Sequence, residues 1–365
     1  MKITIVGAGN MGLALVSYLA VYKNHSVTLF TEKKIDSLVL NDVEAKKNVA
    51  TSRFKVTSST TAFLEADYIF CTWPAFLRKK MIDQYGQYIK SGTKVGFVPG
   101  YGGAEYLCKE LIKKGVIIFG FQRVPYVARA VGNQAGILSK KSKLFLAAIP
   151  SKYTDTVVAD IESFLDIPTV ALKEYLSITL APSNPLLHIS GLYGAFKDYD
   201  AEKGYIGKQK FYEQWDDETS EVLFEYDDEL QCICKALSPL DMSEVVPLPI
   251  YYESDNPKKM TRKLKSIESF KVVKVPLSGN APDLNSRMFI EDYPYGVCII
   301  KDIARMLGIE TPIIDMLLRF YTKISGHVYF NSDGSYSTEI YDTGVPGIYG
   351  LKTKAELINF YHGGI

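Results

Sequence analysis

A glycine-rich segment near the start of the chain has the composition of a phosphate-binding loop. Gly7, Gly9 and Gly12 follow the spacing G-x-G-x-x-G, with Asn10 and Met11 between the last two. An apolar run precedes the segment, and apolar residues at helical spacing follow it. In that context the first glycine permits a tight turn, the second lets the backbone approach a pyrophosphate, and the third lets helix and strand pack closely. The segment therefore predicts a dinucleotide site.

The residue that ends the second predicted strand bears on the choice of nicotinamide cofactor. An Asp or Glu at this position would bond the ribose 2′-hydroxyl and repel a 2′-phosphate. The sequence has Thr31 here, followed by Glu32, Lys33 and Lys34. A hydroxyl and cations suit a phosphate, so Thr31 and Lys33 favour NADP. Glu32 leaves NAD possible, and a solvated turn would also explain the lysines.

Two later segments follow predicted strands and are candidates for further cofactor contacts. Thr72-Trp73-Pro74 follows one strand, and the glycine-rich segment 99–103 follows the next. Ligands of parallel sheets bind at the carboxyl ends of the strands, so Thr72 and Pro74 are predicted cofactor contacts. Ordinary turn formation explains both segments equally well.

His188 has the best position for proton transfer among the four histidines. It closes the segment Asn184-Pro185-Leu186-Leu187-His188, near the start of the helix predicted to open a second domain. Imidazole titrates near neutral pH and can shuttle a proton. A lone histidine on an apolar helix is also a common packed core residue, so both interpretations stand.

A charged segment about 100 residues later lies at a predicted junction of loop and helix. Arg287 offers a planar fork to a carboxylate, and Asp292 could orient and stabilise an imidazole. The alternative is structural: Arg287 would pair with Glu291 across one helical turn, and Asp292 would cap the helix.

The surrounding pattern predicts an α/β protein with two domains. Short apolar runs alternate with helical segments in the first half, at 2–6, 26–30, 54–57, 68–72, 94–98, 116–120 and 144–148. This alternation predicts an N-terminal Rossmann domain with a doubly wound parallel sheet over residues 1–181. Amphipathic stretches then predict an all-α substrate domain over residues 182–365, with helices at 185–196, 208–236, 257–267, 296–307 and 311–324.

The composition of the chain indicates which classes of binding partner to expect. The 42 basic and 41 acidic side chains leave a net charge of +1, so neither nucleic acid nor a membrane surface is an expected partner. The five cysteines are scattered and the chain starts directly with a strand, so we expect a reducing compartment, the cytoplasm. Cys232-x-Cys234 has no second Cys or His pair nearby, so no metal site is expected.

Taken together, the motifs resemble the octopine/nopaline (opine) dehydrogenase family. The resemblance rests on the glycine loop, on Asn184-Pro185-x-x-His188, and on Arg287 followed at fixed spacing by Asp292-x-Pro294-x-Gly296. Further agreement lies at 99–103, 124–129 and 307–315. It implies NAD(P)H-dependent reductive condensation, in which the amine of an amino acid and a 2-oxo acid form an imine that accepts a hydride.

The same resemblance implies roles for individual residues. His188 and Asp292 would form a catalytic dyad, and Arg287 would anchor a substrate carboxylate. Asn184 and Tyr193 would be further contacts of the amino acid and 2-oxo acid substrates, and a homodimer is a possible assembly.

Two other functions fit parts of the sequence. A ketopantoate or 2-hydroxyacid-type reductase has the same two-domain plan, and Lys197 would then be the acid. A non-enzymatic NAD(P) redox sensor would need the glycine loop but no His, Asp and Arg set.

Overall fold

The structure, a computed structural model, describes residues 1–181 and 183–363. The chain forms two compact units: Met1–Thr179 with Ile358–Ile365, and Leu180–Leu357. The first passage between them thus precedes the boundary expected from the sequence, and the end of the chain returns to the first unit. Pro182, where the second domain was expected to begin, lies outside the described residues.

The first unit is built mostly from strands. Its strands are β1 (Lys2–Val6), β2 (Ser26–Phe30), β3 (Leu38–Asp42), β4 (Lys47–Thr51), β5 (Lys55–Thr57), β6 (Tyr68–Cys71), β7 (Lys94–Phe97), β8 (Ile117–Phe121), β9 (Tyr126–Val131), β10 (Gln134–Lys140), β11 (Leu144–Ile149) and β12 (Thr169–Ala171). Its helices are α1 (Asn10–Tyr22), α2 (Thr61–Leu64), α3 (Ala75–Tyr85), α4 (Ala104–Leu107), α5 (Lys109–Lys113), α6 (Thr154–Leu165) and α7 (Leu176–Leu180), and α7 contains the first passage to the second unit.

The main sheet has the predicted Rossmann character. Its eight strands run in the order β12-β11-β8-β7-β6-β1-β2-β5, and every neighbouring pair is parallel except β11 with β8. The carboxyl ends of β1, β6, β7 and β8 therefore lie along one edge, which is where such sheets bind ligands. The expected α/β fold class is confirmed.

A second sheet, of order β4-β3-β10-β9, was not predicted from the sequence. Its strands β3 and β10 pair in parallel although they lie far apart in the chain. Helix α1 packs in one hydrophobic core with side chains of both sheets, such as Ile5 of the main sheet and Ile137 of the second. Burial on opposite sides explains why α1 is apolar around most of its circumference.

The second unit is largely helical. Its elements are α8 (Ser183–Phe196), α9 (Asp217–Ala236), α10 (Leu248–Tyr251), α11 (Pro257–Ser266), the short strands β13 (Leu277–Ser278) and β14 (Ala281–Pro282), α12 (Arg287–Ile290), α13 (Cys298–Leu307), α14 (Pro312–Ser325) and α15 (Lys354–Tyr361), and α15 contains the second passage between the units. No helix of the described part of the chain is long and apolar enough to cross a membrane.

Two predicted helix starts were wrong. The helix expected from residue 208 begins at Asp217, because Asp216 has extended backbone and its carboxylate accepts the backbone N–H of Thr219, which is an N-cap. The helix expected from residue 296 begins at Cys298, because a π-helical turn, Tyr293–Val297, precedes it.

Candidate functional site

The glycine loop connects β1 to α1 as the sequence predicts. Gly7 has a φ of +108°, which disfavours any residue with a side chain. A Cβ on Gly12 would lie 1.8 Å from the carbonyl oxygen of Gly7, so this helix start needs glycine. A Cβ on Gly9 would meet nothing within 4 Å. The backbone at Gly9 is therefore open to a ligand, directly at the N-terminus of a helix with no acidic residue in its first turn.

The other two residues of the loop have structural contacts. The side-chain oxygen of Asn10 accepts the backbone N–H of Ala130 in β9 at 2.9 Å, which ties the helix start to the second sheet. Met11 is partly buried and packs against the hydrophobic core. Their predicted contact with a cofactor stays a prediction.

The loop after β2 carries the residues expected to select the cofactor. Thr31 directly follows the strand, and its hydroxyl oxygen accepts the backbone N–H of Lys33 at 3.2 Å. Glu32 and Lys33 are both exposed. The turn therefore places a hydroxyl, an acid and a cation together at the carboxyl end of β2.

Thr72 and Pro74 lie where the sequence placed them, after β6. The Thr72 hydroxyl donates to the carbonyl of Val6 at 2.9 Å, and its oxygen would be 2.8 Å from a Cβ on Gly7. Pro74 is the residue that precedes α3. Thr72 therefore supports the glycine loop from the neighbouring strand.

Sequence reasoning missed Arg78, which organises this edge of the sheet. Its side chain is 1% exposed, and its guanidinium donates to the carbonyl oxygens of Pro99 at 2.9 Å, of Tyr101, and of Trp73 at 3.4 Å. The loops after β6 and β7 are thus bonded to one cation. Nothing in the local pattern of α3 distinguishes this arginine from a surface residue.

The second unit brings His188 and Asp292 together. His188 lies on α8, Asp292 precedes the π-helical turn, and Nδ1 of His188 is 2.7 Å from Oδ2 of Asp292. The imidazole is 19% exposed and the carboxylate 6%. Burial raises the pKa of Asp292, and the neighbouring imidazole opposes that rise. The Asp292 side chain makes no helix-capping hydrogen bond, so the capping alternative is not what the structure has.

A close contact between Gly296 and Pro185 holds the elements that carry Asp292 and His188 near each other. A Cβ on Gly296 would lie 2.6 Å from Cγ of Pro185, so only glycine lets the π-helical turn approach the first turn of α8 this closely. The contact gives a structural reason for Pro185 and Gly296 in the motifs that contain His188 and Asp292.

Arg287 lies beside the pair in sequence but has its own partner. Its Nε is 2.6 Å from Oε2 of Glu291, an ion pair across one helical turn. The Arg287 side chain is 63% exposed, whereas that of Glu291 is 3% exposed. The structural alternative for Arg287 is therefore present. Of the other expected substrate contacts, Asn184 is exposed at the start of α8, and Tyr193 is half-buried with its ring edge-on to Phe320.

Comparison with known proteins shows what the chain is similar to. The model of the "NAD/NADP octopine/nopaline dehydrogenase, alpha-helical domain" matches residues 171–325, and that of "ketopantoate reductase PanE/ApbA" matches residues 3–138. An opine dehydrogenase of Haliotis discus hannai is 28% identical over 319 residues, 80% of this chain and 78% of that protein. A tauropine dehydrogenase of Arabella iricolor is 25% identical over 98% of this chain and 99% of that protein. The chain is similar to opine dehydrogenases over most of its length. It is an opine dehydrogenase-like oxidoreductase.

Solved structures share the fold. Octopine dehydrogenase with NADH and L-arginine superposes with a TM-score of 0.86 at 21% identity, and covers 100% of this chain and 98% of that one. Yersinopine dehydrogenase with bound NADP+ superposes with a TM-score of 0.67 at 14% identity, and covers 89% of this chain and 90% of that one. The two proteins therefore share this fold although the cofactors in their structures differ.

The glycine loop yields a paired prediction. Gly12→Ala should lower the free energy of unfolding by about 2 kcal/mol or more, since its Cβ has no space. Gly9→Ala should cost no more than about 1 kcal/mol, the usual scale of a change at an N-cap. Urea denaturation of both variants measures this, and a Gly9→Ala variant as unstable as Gly12→Ala would show that the open space at Gly9 is not real.

Arg78→Met should lower the free energy of unfolding by about 3 kcal/mol or more, because three carbonyl oxygens, one buried and two partly buried, lose a charged donor. Arg53→Met is the matched control, since Arg53 is exposed in the same unit, and a change within about 0.5 kcal/mol is expected there. Thermal and urea denaturation compare the two, and equal stability of both variants would contradict the assigned role of Arg78.

Proposed function

We propose that the protein is an NAD(P)H-dependent opine dehydrogenase. It would join the amine of an amino acid to the carbonyl of a 2-oxo acid with loss of water, and reduce the resulting imine with uptake of a hydride and a proton. The reverse reaction oxidises a CH–NH bond. The observation that carries this proposal is the buried Asp292 carboxylate in contact with the partly exposed imidazole of His188.

The glycine loop fits a dinucleotide. The open backbone at Gly9 and the N–H groups at the start of α1 would hold the pyrophosphate, while Gly7 and Gly12 shape the turn. Bound there, the reduced nicotinamide supplies the hydride. Thr31 and Lys33 favour NADPH, and Glu32 leaves NADH possible; fluorescence titration with each cofactor distinguishes them.

His188 would move the proton that imine formation and reduction require. The contact with Asp292 lets Nδ1–H donate to the carboxylate, which fixes the tautomer and leaves Nε2 to exchange a proton with substrate. The two residues together can therefore act as acid and base in turn.

Arg287 would bind the carboxylate of the 2-oxo acid. The buried carboxylate of Glu291 contacts both Nε and Nη2 of its guanidinium and so orients that planar group, while 63% of the Arg287 side chain is exposed. Asn184 and Tyr193, on the same helix as His188, would contact the substrates.

The main competing function is a ketopantoate-type reductase, which the family match of the first half favours. That function would need Lys197 as the acid. Lys197 instead pairs with Glu218, and this hydrogen bond raises its pKa, which makes it a weaker proton donor near neutral pH.

Following NADPH absorbance with a 2-oxo acid, with and without an amino acid, tests the proposal. Turnover that requires the amine supports an opine dehydrogenase. Turnover without the amine would indicate the reductase, and cofactor binding with no turnover over a wide panel of substrates would indicate a redox sensor.

His188→Ala should lower kcat by about a hundredfold or more and leave cofactor affinity nearly unchanged, because it removes a positioned acid/base group. Asp292→Asn should also lower kcat, because the amide would favour the wrong tautomer. His327→Ala is the matched control: His327 pairs with Glu339 at 3.0 Å but is 55% exposed, so near wild-type kcat is expected. A similar kcat in all three variants would show that His188 and Asp292 do not act as a catalytic dyad.

Arg287→Lys should raise the KM for the 2-oxo acid by roughly ten- to a hundredfold, the scale of one charged hydrogen bond, and change the KM for cofactor far less. Lysine keeps the charge but loses the two-pronged geometry. Arg319→Lys, an exposed arginine of the same unit, is the control. Equal increases in both KM values for Arg287→Lys would mean that Arg287 has only a structural role.

A further inference from the structure

The chain passes between its two units twice, and the same side chain is bonded close to both passages. The first passage is between Thr179 and Leu180, and the second is between Leu357 and Ile358 in α15. The hydroxyl of Thr179 donates to Oε1 of Glu105, and the hydroxyl of Tyr361, the last residue of α15, donates to the same oxygen at 2.9 Å. All three of these side chains belong to the first unit.

Glu105 lies in the first turn of α4, directly after the glycine-rich loop 99–103, and its side chain is fully buried. The hydroxyl of Tyr106 is 2.7 Å from that of Tyr361, which extends the network. The second carboxyl oxygen of Glu105, Oε2, is buried and has no hydrogen-bond partner among the described residues.

We propose that Glu105 is a positioning residue. The chain passes between the two units in two segments, and the single buried carboxyl group of Glu105 anchors both of these segments beside the loop after β7. The proposal does not depend on the proposed function. In this role Glu105 acts where the chain passes between the units and need not contact substrate or cofactor.

Glu105 holds its proton more tightly than an ordinary glutamate does. Burial raises the pKa of Glu105 to about 7, against the opposing effect of the bonds from Thr179 and Tyr361 and of the Arg78 cation. A neutral acid also suits the unpartnered Oε2, because burying an unpaired neutral oxygen costs less than burying an unpaired charge. Cys108, Tyr175 and Tyr361 also face it; burial raises the pKa of each, and a charge on Glu105 raises it further.

The anchor should therefore weaken as pH rises. The pKa of Glu105 is about 4.5 when the carboxyl is released into solvent and about 7 in the folded protein. Its contribution to anchoring is fully present below pH 4.5, and it falls as the pH rises through 7. For these two values, one-proton linkage makes release roughly tenfold easier at pH 8 than at pH 6.

Amide hydrogen exchange in the peptide 354–363, expressed as protection factors at pH 6 and pH 8, tests this. Protection in the wild-type chain should fall by about tenfold between the two pH values. In Glu105→Gln it should not fall, because glutamine keeps the accepting oxygen but does not titrate. Glu110→Gln, an exposed glutamate on α5, should behave as wild type. An equal fall in Glu105→Gln and wild type would overturn the proposal.

Tyr361→Phe keeps the test decisive should Glu105→Gln fail to fold. This variant retains the ring and loses the hydroxyl that reaches Glu105. Protection of the same peptide at pH 6 should then fall about tenfold, the scale of one buried hydrogen bond. Unchanged protection would show that Glu105 does not anchor the C-terminal segment.

Discussion

The carboxyl edge of the main sheet depends on one buried cation. A guanidinium that loses water needs oxygen atoms in its place, and Arg78 finds them in the carbonyl groups of the loops after β6 and β7. Trp73, whose carbonyl is one of these acceptors, packs against Gly7 of the glycine loop. The loops that follow three neighbouring strands are therefore one connected structure, and the position of the glycine loop depends on the position of Arg78.

In the second unit the buried charged group is an anion. Asp292 is buried, and the ring of His188 offsets the cost of removing that carboxylate from water. The close approach of Gly296 to Pro185 holds the two elements at the required distance. One residue earlier in the chain, Glu291 is also buried and orients Arg287. Two adjacent carboxylates thus contact two different side chains, the imidazole of His188 and the guanidinium of Arg287.

The parts of the fold that the sequence could predict are those with local causes. The glycine spacing between a strand and a helix reports a local turn, and the strand–helix alternation reports a parallel sheet. The motifs around His188 and Asp292 predicted their association only through family resemblance, because the packing of Gly296 on Pro185 joins segments about 100 residues apart. The start of α9 had a readable signal that was missed, since Asp216 followed by Thr219 is a helix cap.

The features that the sequence could not predict arise from distant contacts. Strands β3 and β10 each pair locally, with β4 and β9 respectively, but these two pairs form one sheet only because β3 and β10 pair with each other across a long stretch of chain. Arg78 and Glu105 look like ordinary surface residues in their local sequence, because a charged side chain is buried only when remote parts of the chain supply its partners.

Helix α1 lies in a core shared by two sheets, which bears on how a ligand would meet the phosphate loop. A helix covered on one side can tilt or fray when a ligand arrives, and its ordering then reduces the affinity. With main-sheet side chains on one side and second-sheet side chains on the other, α1 has little freedom to move, and Asn10 fixes its first turn to β9. The N–H groups at its start are therefore held in place, so a phosphate that bound there would lose little affinity to the ordering of the helix.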